Sequence, residues 1–355
     1  MRVLIIALSG IGDALLFTPA AELIKKNVPD VRLDALVMFK GAAEIYDRTG
    51  LFDEIIHHDF LSAPKLKSLS VVMKLRGKYD VSINVYPSNR FEYNLIQFLA
   101  GAPKRGAIQY LRRDFRELGF LNNIRIQEND SVHNVRENIS IAKRTLGFET
   151  QEEPDLVFPI SQEDERFADR YLASCGFAGG DMLIGFHAGS AILKNQAKRR
   201  WEPEKFAELG RRLIDSKKAR ILIFGGPDEN DLKARIMAMI DSDRATIPST
   251  SGLAQTAALI RRTSLLVTND SGMMHVASAM KRKIVAVVGP TNTDYIHPWH
   301  TEHEIASLHL ECSPCFIYSP KPLKCFRDDV KFKCIKELTV DMVYAKVASL
   351  LGHQG

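Results

Sequence analysis

The stretch "LLVTNDSGMMHVASAM", residues 265–280, joins two periodicities at one glycine. A continuous apolar run ending at Thr268 or Asn269 suits a strand buried on both faces, and the small and apolar residues from Gly272 onward suit a helix. A strand feeding directly into a helix is the repeating unit of an α/β fold with a parallel sheet. Ligands of such sheets bind beyond the carboxyl ends of the strands. There the N–H groups of Ser271, Gly272 and Met273 and the positive end of the helix dipole would meet an anion, and Gly272 would let a phosphate come close. His275, one turn in, could reach the same anion. The plainer alternative is that Asp270 and Ser271 only cap the helix and His275 packs.

The same alternation runs through the chain. Buried strands are expected at 2–8, 32–38, 81–86, 181–188, 219–226, 264–270 and 283–290, and helices over 201–218, 252–263 and 339–351, the last with Thr339 as N-cap. The strands fall into two groups, separated by the acidic, proline-containing "GFETQEEPDLVFPISQEDE" (147–165), which reads as a connection between domains. The expectation is therefore an N-terminal Rossmann-like domain over 1–160, a C-terminal one over 161–338, and a final helix over 339–355 packing back on the N-terminal half. Two doubly wound halves facing across a cleft is the economical arrangement.

Two further strand ends in the second half carry nucleotide-binding chemistry. "HAGSAILKNQAKRRW" (187–201) follows a small-residue turn, containing Gly189 and Ser190, with Lys194, Lys198, Arg199 and Arg200. Turn N–H groups followed by cations suit a diphosphate, which Arg can grip bidentately. "IFGGPDEND" (223–231) sets Glu229, a carboxylate suited to ribose hydroxyls, after two glycines.

The N-terminal "ALSGIGDALLFTPA" (7–20) looks at first like a dinucleotide loop, with Gly10 and Gly12 forming the turn. Leu15 occupies the place of the third glycine of that fingerprint, whereas Asp34, about twenty residues on at a strand end, would suit a ribose. A nicotinamide- or flavin-dependent oxidoreductase is thus the competing class. In the other reading, the glycines present Asp13. Two helix starts are open, one at residue 14 and one with Thr18 as N-cap and Pro19 at the first helical position.

The 355 residues are 45% hydrophobic and 26% charged, with a net charge of +5. This mild basic excess fits an anionic small substrate or an anionic membrane surface, and nucleic acid is not expected. No apolar run approaches the roughly twenty residues that cross a bilayer. No signal-peptide segment is evident, so a cytoplasmic location is expected. Basic clusters lie at Lys65 to Lys78 and Arg112 to Arg116. Cys312 and Cys315 form a C-x2-C pair, followed by Cys325 and Cys334; these four could hold a structural zinc, with reduced thiols or a disulfide loop as the alternatives. No P-loop, HExxH or metal-holding D-x-D pair is present.

Together, "GIGDALLFTPA", "FHAGS…KRRWEPEKFAEL" and "NDSGMMHVASAM…VVGPT" resemble glycosyltransferase family 9, the ADP-heptose:lipopolysaccharide heptosyltransferases. The resemblance implies a GT-B fold and inverting transfer of heptose from ADP-heptose to an inner-core Kdo or heptose, with no cofactor for catalysis. It makes Asp13 the base and puts Asp270, Ser271, Gly272 and His275 in the donor turn, Gly189 and Ser190 near the phosphates, and Glu229 at the ribose. The diphosphate cation falls on Arg199, where relatives have lysine, with Lys198 adjacent. A lipopolysaccharide acceptor implies work at the cytoplasmic face of the inner membrane, with peripheral contact through the basic clusters. Another nucleotide sugar would keep most of these motifs.

Overall fold

The computed structural model describes residues 1–177, 180 and 182–352, so Asp181, at the start of the strand expected over 181–188, lies outside the described residues. The chain divides into two compact units. One comprises Met1–Pro159 with Asp294–Ile296 and Tyr318–Pro320, and the other comprises Ile160–Thr293, His297–Ile317 and Lys321–Gly355.

The first unit is built on six parallel strands, β1 (Arg2–Ala7), β2 (Arg32–Val37), β3 (Glu54–His57), β4 (Val81–Asn84), β5 (Lys104–Gln109) and β6 (Ile124–Gln127), in the order β3-β2-β1-β4-β5-β6. The second repeats the plan with β7 (Leu183–His187), β8 (Arg220–Phe224), β9 (Ala245–Thr246), β10 (Leu265–Asn269), β11 (Lys283–Val287) and β12 (His303–Ala306), in the order β12-β11-β10-β7-β8-β9. In each sheet the strand order reverses at one place, between β1 and β4 and between β7 and β10. Val3 of β1 is in register with Leu33 on one side and Val81 on the other. Leu265 of β10 is flanked likewise by Lys283 and Ile184. A crevice opens beyond the strand ends at such a reversal, because the following helices go to opposite faces.

All seven expected strands are present. The five that sequence reading missed include every edge strand, where "EIIH", "IRIQ" and "HEIA" mix charge with apolar residues and run for only four residues each. An edge strand buries less and so has a weaker apolar signature.

The core of the second unit centres on Trp201, Phe186 and Phe206, with the Trp201 and Phe206 rings 5.1 Å apart and edge-on. Trp201 Nε1 donates to Leu338 O at 2.8 Å, which satisfies the indole N–H within an apolar setting. The helix Val340–Leu351 begins at Thr339, whose hydroxyl accepts from Met342 N. Its buried Val343, Val347 and Leu350 belong to this second core, and it packs on β10, β11 and β12.

The helix after β1 corrects both expected starts. It spans Ile11–Asn27, with Gly10 as N-cap and Pro19 inside. Proline in a helix interior removes one hydrogen bond and leaves a carbonyl one turn back unpaired. Here Thr18 Oγ1 donates to Leu15 O at 2.7 Å, supplying the missing donor. The same hydroxyl accepts from Val157 N at 2.9 Å. The acidic connection is accordingly an extended segment fixed on this helix, with Leu156 and Phe158 buried.

Candidate functional site

In the second unit, both strands at the order reversal end in site residues. At the end of β7, His187 places Nε2 3.2 Å from Glu229 Oε2 and Nδ1 3.0 Å from Ser271 Oγ. With the carboxylate accepting from Nε2–H, the Ser271 hydroxyl donates to Nδ1, so one imidazole ties three loops together. Glu229 also accepts from Gly226 N at 3.0 Å and from Arg200 Nη2 at 3.4 Å. Burial by itself raises this carboxyl, but the His187 and Gly226 hydrogen bonds and the Arg200 charge outweigh it and hold Glu229 below its ordinary range. A Cβ built on Gly189 would stand 1.7 Å from Glu229 Oε1. Glycine is required there by the close approach of the carboxylate. Arg200 also donates to Ser190, to its Oγ at 3.2 Å and to its carbonyl.

After β10, Asp270 is buried and bound on one oxygen by Arg199 Nη1 at 2.5 Å and Thr291 Oγ1 at 2.6 Å. Arg199 Nη2 donates to Gln196 Oε1 at 2.9 Å, and its guanidinium lies over the Phe316 ring at 5.1 Å. Arg199 is thus a buried, neutralised cation, while Lys198 is exposed and has no ion pair among the described residues. Ser271 is the N-cap residue of the helix Gly272–Ala279, with no side-chain capping hydrogen bond. His275 is buried within it, and burial pushes its imidazole down to about 4, with His297 adding to the effect and Asp270 opposing it. Its Nδ1 has no hydrogen-bond partner among the described residues. His275 is therefore neutral near pH 7 and can meet an anion only as a hydrogen-bonding group.

In the first unit, Asp13 stands at the third helical position, partly exposed, and its Oδ2 accepts from Gly10 N at 3.1 Å. That N–H and the helix start stabilise negative charge on it. The turn is fixed from both sides. Ser9 Oγ donates to Pro87 O at 2.6 Å, and Tyr93 OH donates to Leu8 O at 2.7 Å. Gly10 has φ −69° and Gly12 is already helical, so the expected tight glycine turn is a helix start instead. A Cβ on Gly10 would meet Asp13 Oδ2 at an ordinary 3.9 Å. Asp34 is not at a ligand-facing strand end. It sits in the first half of β2, buried, accepting from Tyr79 OH at 3.0 Å and from Arg32 Nε at 3.1 Å. The one residue that favoured an oxidoreductase is committed to structure at the wrong end of the strand.

Cys312, Cys315, Cys325 and Cys334 are free thiols. Burial and the neighbouring thiols push Cys334 up to about 11. Among the described residues no three His, Cys, Asp or Glu side chains stand in an arrangement that could hold a metal ion, so the geometry lends the zinc expectation no support.

Sequence reading missed His187 and Thr291 as members of this network. Both lay inside quoted motifs, but their partners are distant in sequence.

The family pattern described as glycosyltransferase family 9 (heptosyltransferase) matches residues 68–325. The chain belongs to this family. It is therefore a glycosyltransferase. It is similar to lipopolysaccharide heptosyltransferase 2 of Escherichia coli K12, 26% identical over 313 residues that cover 84% of this chain and 85% of the relative. Among solved structures, the E. coli ADP-heptose lipopolysaccharide heptosyltransferase II superposes with a TM-score of 0.72 at 21% identity, covering 99% of this chain and 98% of the other. The E. coli heptosyltransferase WaaC with ADP-2-deoxy-2-fluoro heptose gives 0.68 at 19% identity, covering 98% and 99%. These likenesses establish the fold of this family 9 member as GT-B type, with two Rossmann-like sheets. Among the described residues no helix is long and apolar enough to cross a membrane.

Proposed function

We propose that this family 9 transferase moves heptose from ADP-heptose to a Kdo or heptose of the lipopolysaccharide inner core, with inversion at the anomeric carbon and without a catalytic metal. The observation that carries this reading is the pairing of chemistries at the two strand-order reversals. One holds a carboxylate on a fixed helix start, and the other holds a helix N-terminus beside buried and exposed cations. The names of the relatives supply the sugar and the acceptor class.

In this mechanism, the acceptor hydroxyl oxygen forms a bond to the anomeric carbon as the bond from that carbon to the ADP oxygen breaks. The electron pair leaves with ADP. Asp13 takes the hydroxyl proton, made acidic by the forming bond. The transition state has oxocarbenium character, by analogy with inverting glycosidases. Negative charge growing on the diphosphate is met by Lys198 and by the N–H groups of Ser271, Gly272 and Met273. Arg199, already bound to Asp270, holds that turn in place; neutral His275 contributes a hydrogen bond. Gly189 and Ser190 set the loop beside the phosphates, and Glu229 accepts from the ribose. An acceptor anchored in lipid places the enzyme at the cytoplasmic face of the inner membrane.

The test is a donor screen by product mass, with ADP-heptose and GDP- and UDP-sugars against a deacylated core acceptor. A heptosyl product from ADP-heptose alone, formed equally in EDTA, is expected. A product from another nucleotide sugar only, or strict need for an added divalent ion, would overturn the reading.

A further inference from the structure

His187 closes β7 in register with Thr268 of β10 on one side and Phe224 of β8 on the other. Strand pairing therefore sets its buried imidazole beside the turn that follows β10. The two ring nitrogens face different groups, Nε2 at 3.2 Å from Glu229 Oε2 and Nδ1 at 3.0 Å from Ser271 Oγ. A carboxylate can only accept, so Nε2 carries the hydrogen and Nδ1 offers its lone pair to the Ser271 hydroxyl. Thr268 Oγ1, 3.4 Å from Nδ1, donates instead to Asn269 O at 2.8 Å.

This bond turns Ser271 away from its own helix. An N-cap serine ordinarily points its oxygen at the N–H of the second or third helical residue. Here Ser271 makes no such bond. Met274 N–H closes on Ser271 O at 3.1 Å, but the N–H groups of Gly272 and Met273 have no partner among the described residues. Two buried polar atoms beside the same turn are also unpaired among the described residues. They are Nε of Arg199, which holds Asp270, and Nδ1 of His275. Buried polar groups are nearly always bonded, so several left open together at the positive end of a helix mark a seat for an anion.

We propose that His187 is a positioning residue of this anion seat. By holding the Ser271 hydroxyl on Nδ1, it keeps that oxygen from capping the helix Gly272–Ala279. The N–H groups of Gly272 and Met273 then stay open for a nucleoside diphosphate. Without that hold, the serine oxygen would rotate onto the helix and compete with the phosphate for the same donors. The other ring nitrogen orients Glu229, so one side chain sets both the diphosphate end and the ribose end of the site. The inference rests on the reading of this turn as the diphosphate site, and adds to it a residue that acts through Ser271.

The experiment is calorimetric titration of the full chain with ADP and with inorganic pyrophosphate, which lacks the ribose that Glu229 would meet. Two variants separate the nitrogens of His187. His187→Asn keeps an acceptor near the place of Nδ1 and has nothing at Nε2, whereas His187→Gln reaches Glu229 and releases Ser271. His187→Gln should weaken pyrophosphate binding about tenfold, within the range that an N-cap bond contributes. Adding Ser271→Ala to it should recover most of that loss, since no hydroxyl remains to cap the helix. His187→Asn should stay within about threefold of wild type. A role confined to holding Glu229 predicts the reverse order and no recovery, and either result overturns the inference. Far-UV circular dichroism and the thermal midpoint check folding. Hydrogen exchange on the wild-type chain needs no variant: the amides of Gly272 and Met273 should exchange freely alone and slow when pyrophosphate binds. Protection in the absence of pyrophosphate sinks the proposal. A wild-type chain that binds neither pyrophosphate nor ADP overturns the diphosphate reading itself, whereas binding indifferent to His187→Gln removes only the role of His187.

Discussion

Arg199 Nη1 donates to Asp270 Oδ2 at 2.5 Å across 71 residues of sequence, and both side chains are buried. The pair joins the loop after β7 to the turn after β10, the two strand ends that flank the order reversal of the second sheet. An ion pair in such a place contributes less to stability than it costs to break, because removing one partner leaves a buried charge alone.

Arg199→Gln and Asp270→Asn should each lower stability by about 3 kcal/mol. The double variant should lose clearly less than the sum of the two, since neither charge is then stranded. Urea unfolding of the four proteins gives the cycle. Additive losses would show that the two side chains do not act as a pair.

Gly189→Ala drives a methyl into the position of Glu229 Oε1 and must displace the carboxylate from His187. A loss of about 2 kcal/mol in stability is expected from the broken hydrogen bonds. Combining it with Glu229→Ala should restore part of that loss, because the shorter side chain vacates the space. Thermal denaturation of the single and double variants is the measurement, and ADP affinity by calorimetry should fall in both.

Asp13→Asn keeps an oxygen for the Gly10 N–H but has no basic carboxylate. Turnover should fall by about a thousandfold, within the range for losing a general base, while ADP binding stays within about twofold. Single-turnover product formation and calorimetry separate the two. Turnover within tenfold of wild type would remove Asp13 from its assigned role.

His275 gives the protein a pH signature. Its folded-state pKa of about 4 lies below the unfolded value near 6.5, so the unfolded chain takes up a proton that the folded one refuses. The stabilisation is complete above about pH 6.5 and is lost as pH falls towards 4, amounting to about 3 kcal/mol at most. His275→Gln should flatten the slope of unfolding free energy against pH in that window. An unchanged slope would show that His275 is not the group responsible.

Much of this was open to reading in the chain. Strand-then-helix units with continuous apolar strands dictate parallel sheets, and the residues just after β1, β7, β8 and β10 could be singled out because ligands gather beyond strand ends. Asp13, Glu229 and the Asp270 to His275 turn all lie just beyond such strand ends. Less was legible where a local signal was weak or misleading. The edge strands carry too little apolar residue to announce themselves. Pro19 pointed to a later helix start because the compensating Thr18 hydroxyl bond cannot be seen in a linear pattern. Asp34 sat at the right distance from a glycine pair for a ribose contact and proved to be locked to Arg32 and Tyr79.

The sequence by itself determined the βα alternation, the two groups of strands and the motifs at their ends, since periodicity and turn chemistry are properties of neighbouring residues. Only the tertiary structure decided what each motif residue is bonded to. Strand order set β7 beside β10 and so brought Arg199 to Asp270 and His187 to Ser271. It also decided which of two adjacent cations is buried and neutralised, leaving Lys198 in water. Burial and charge pairing depend on contacts between residues far apart in the chain, and no local pattern encodes them.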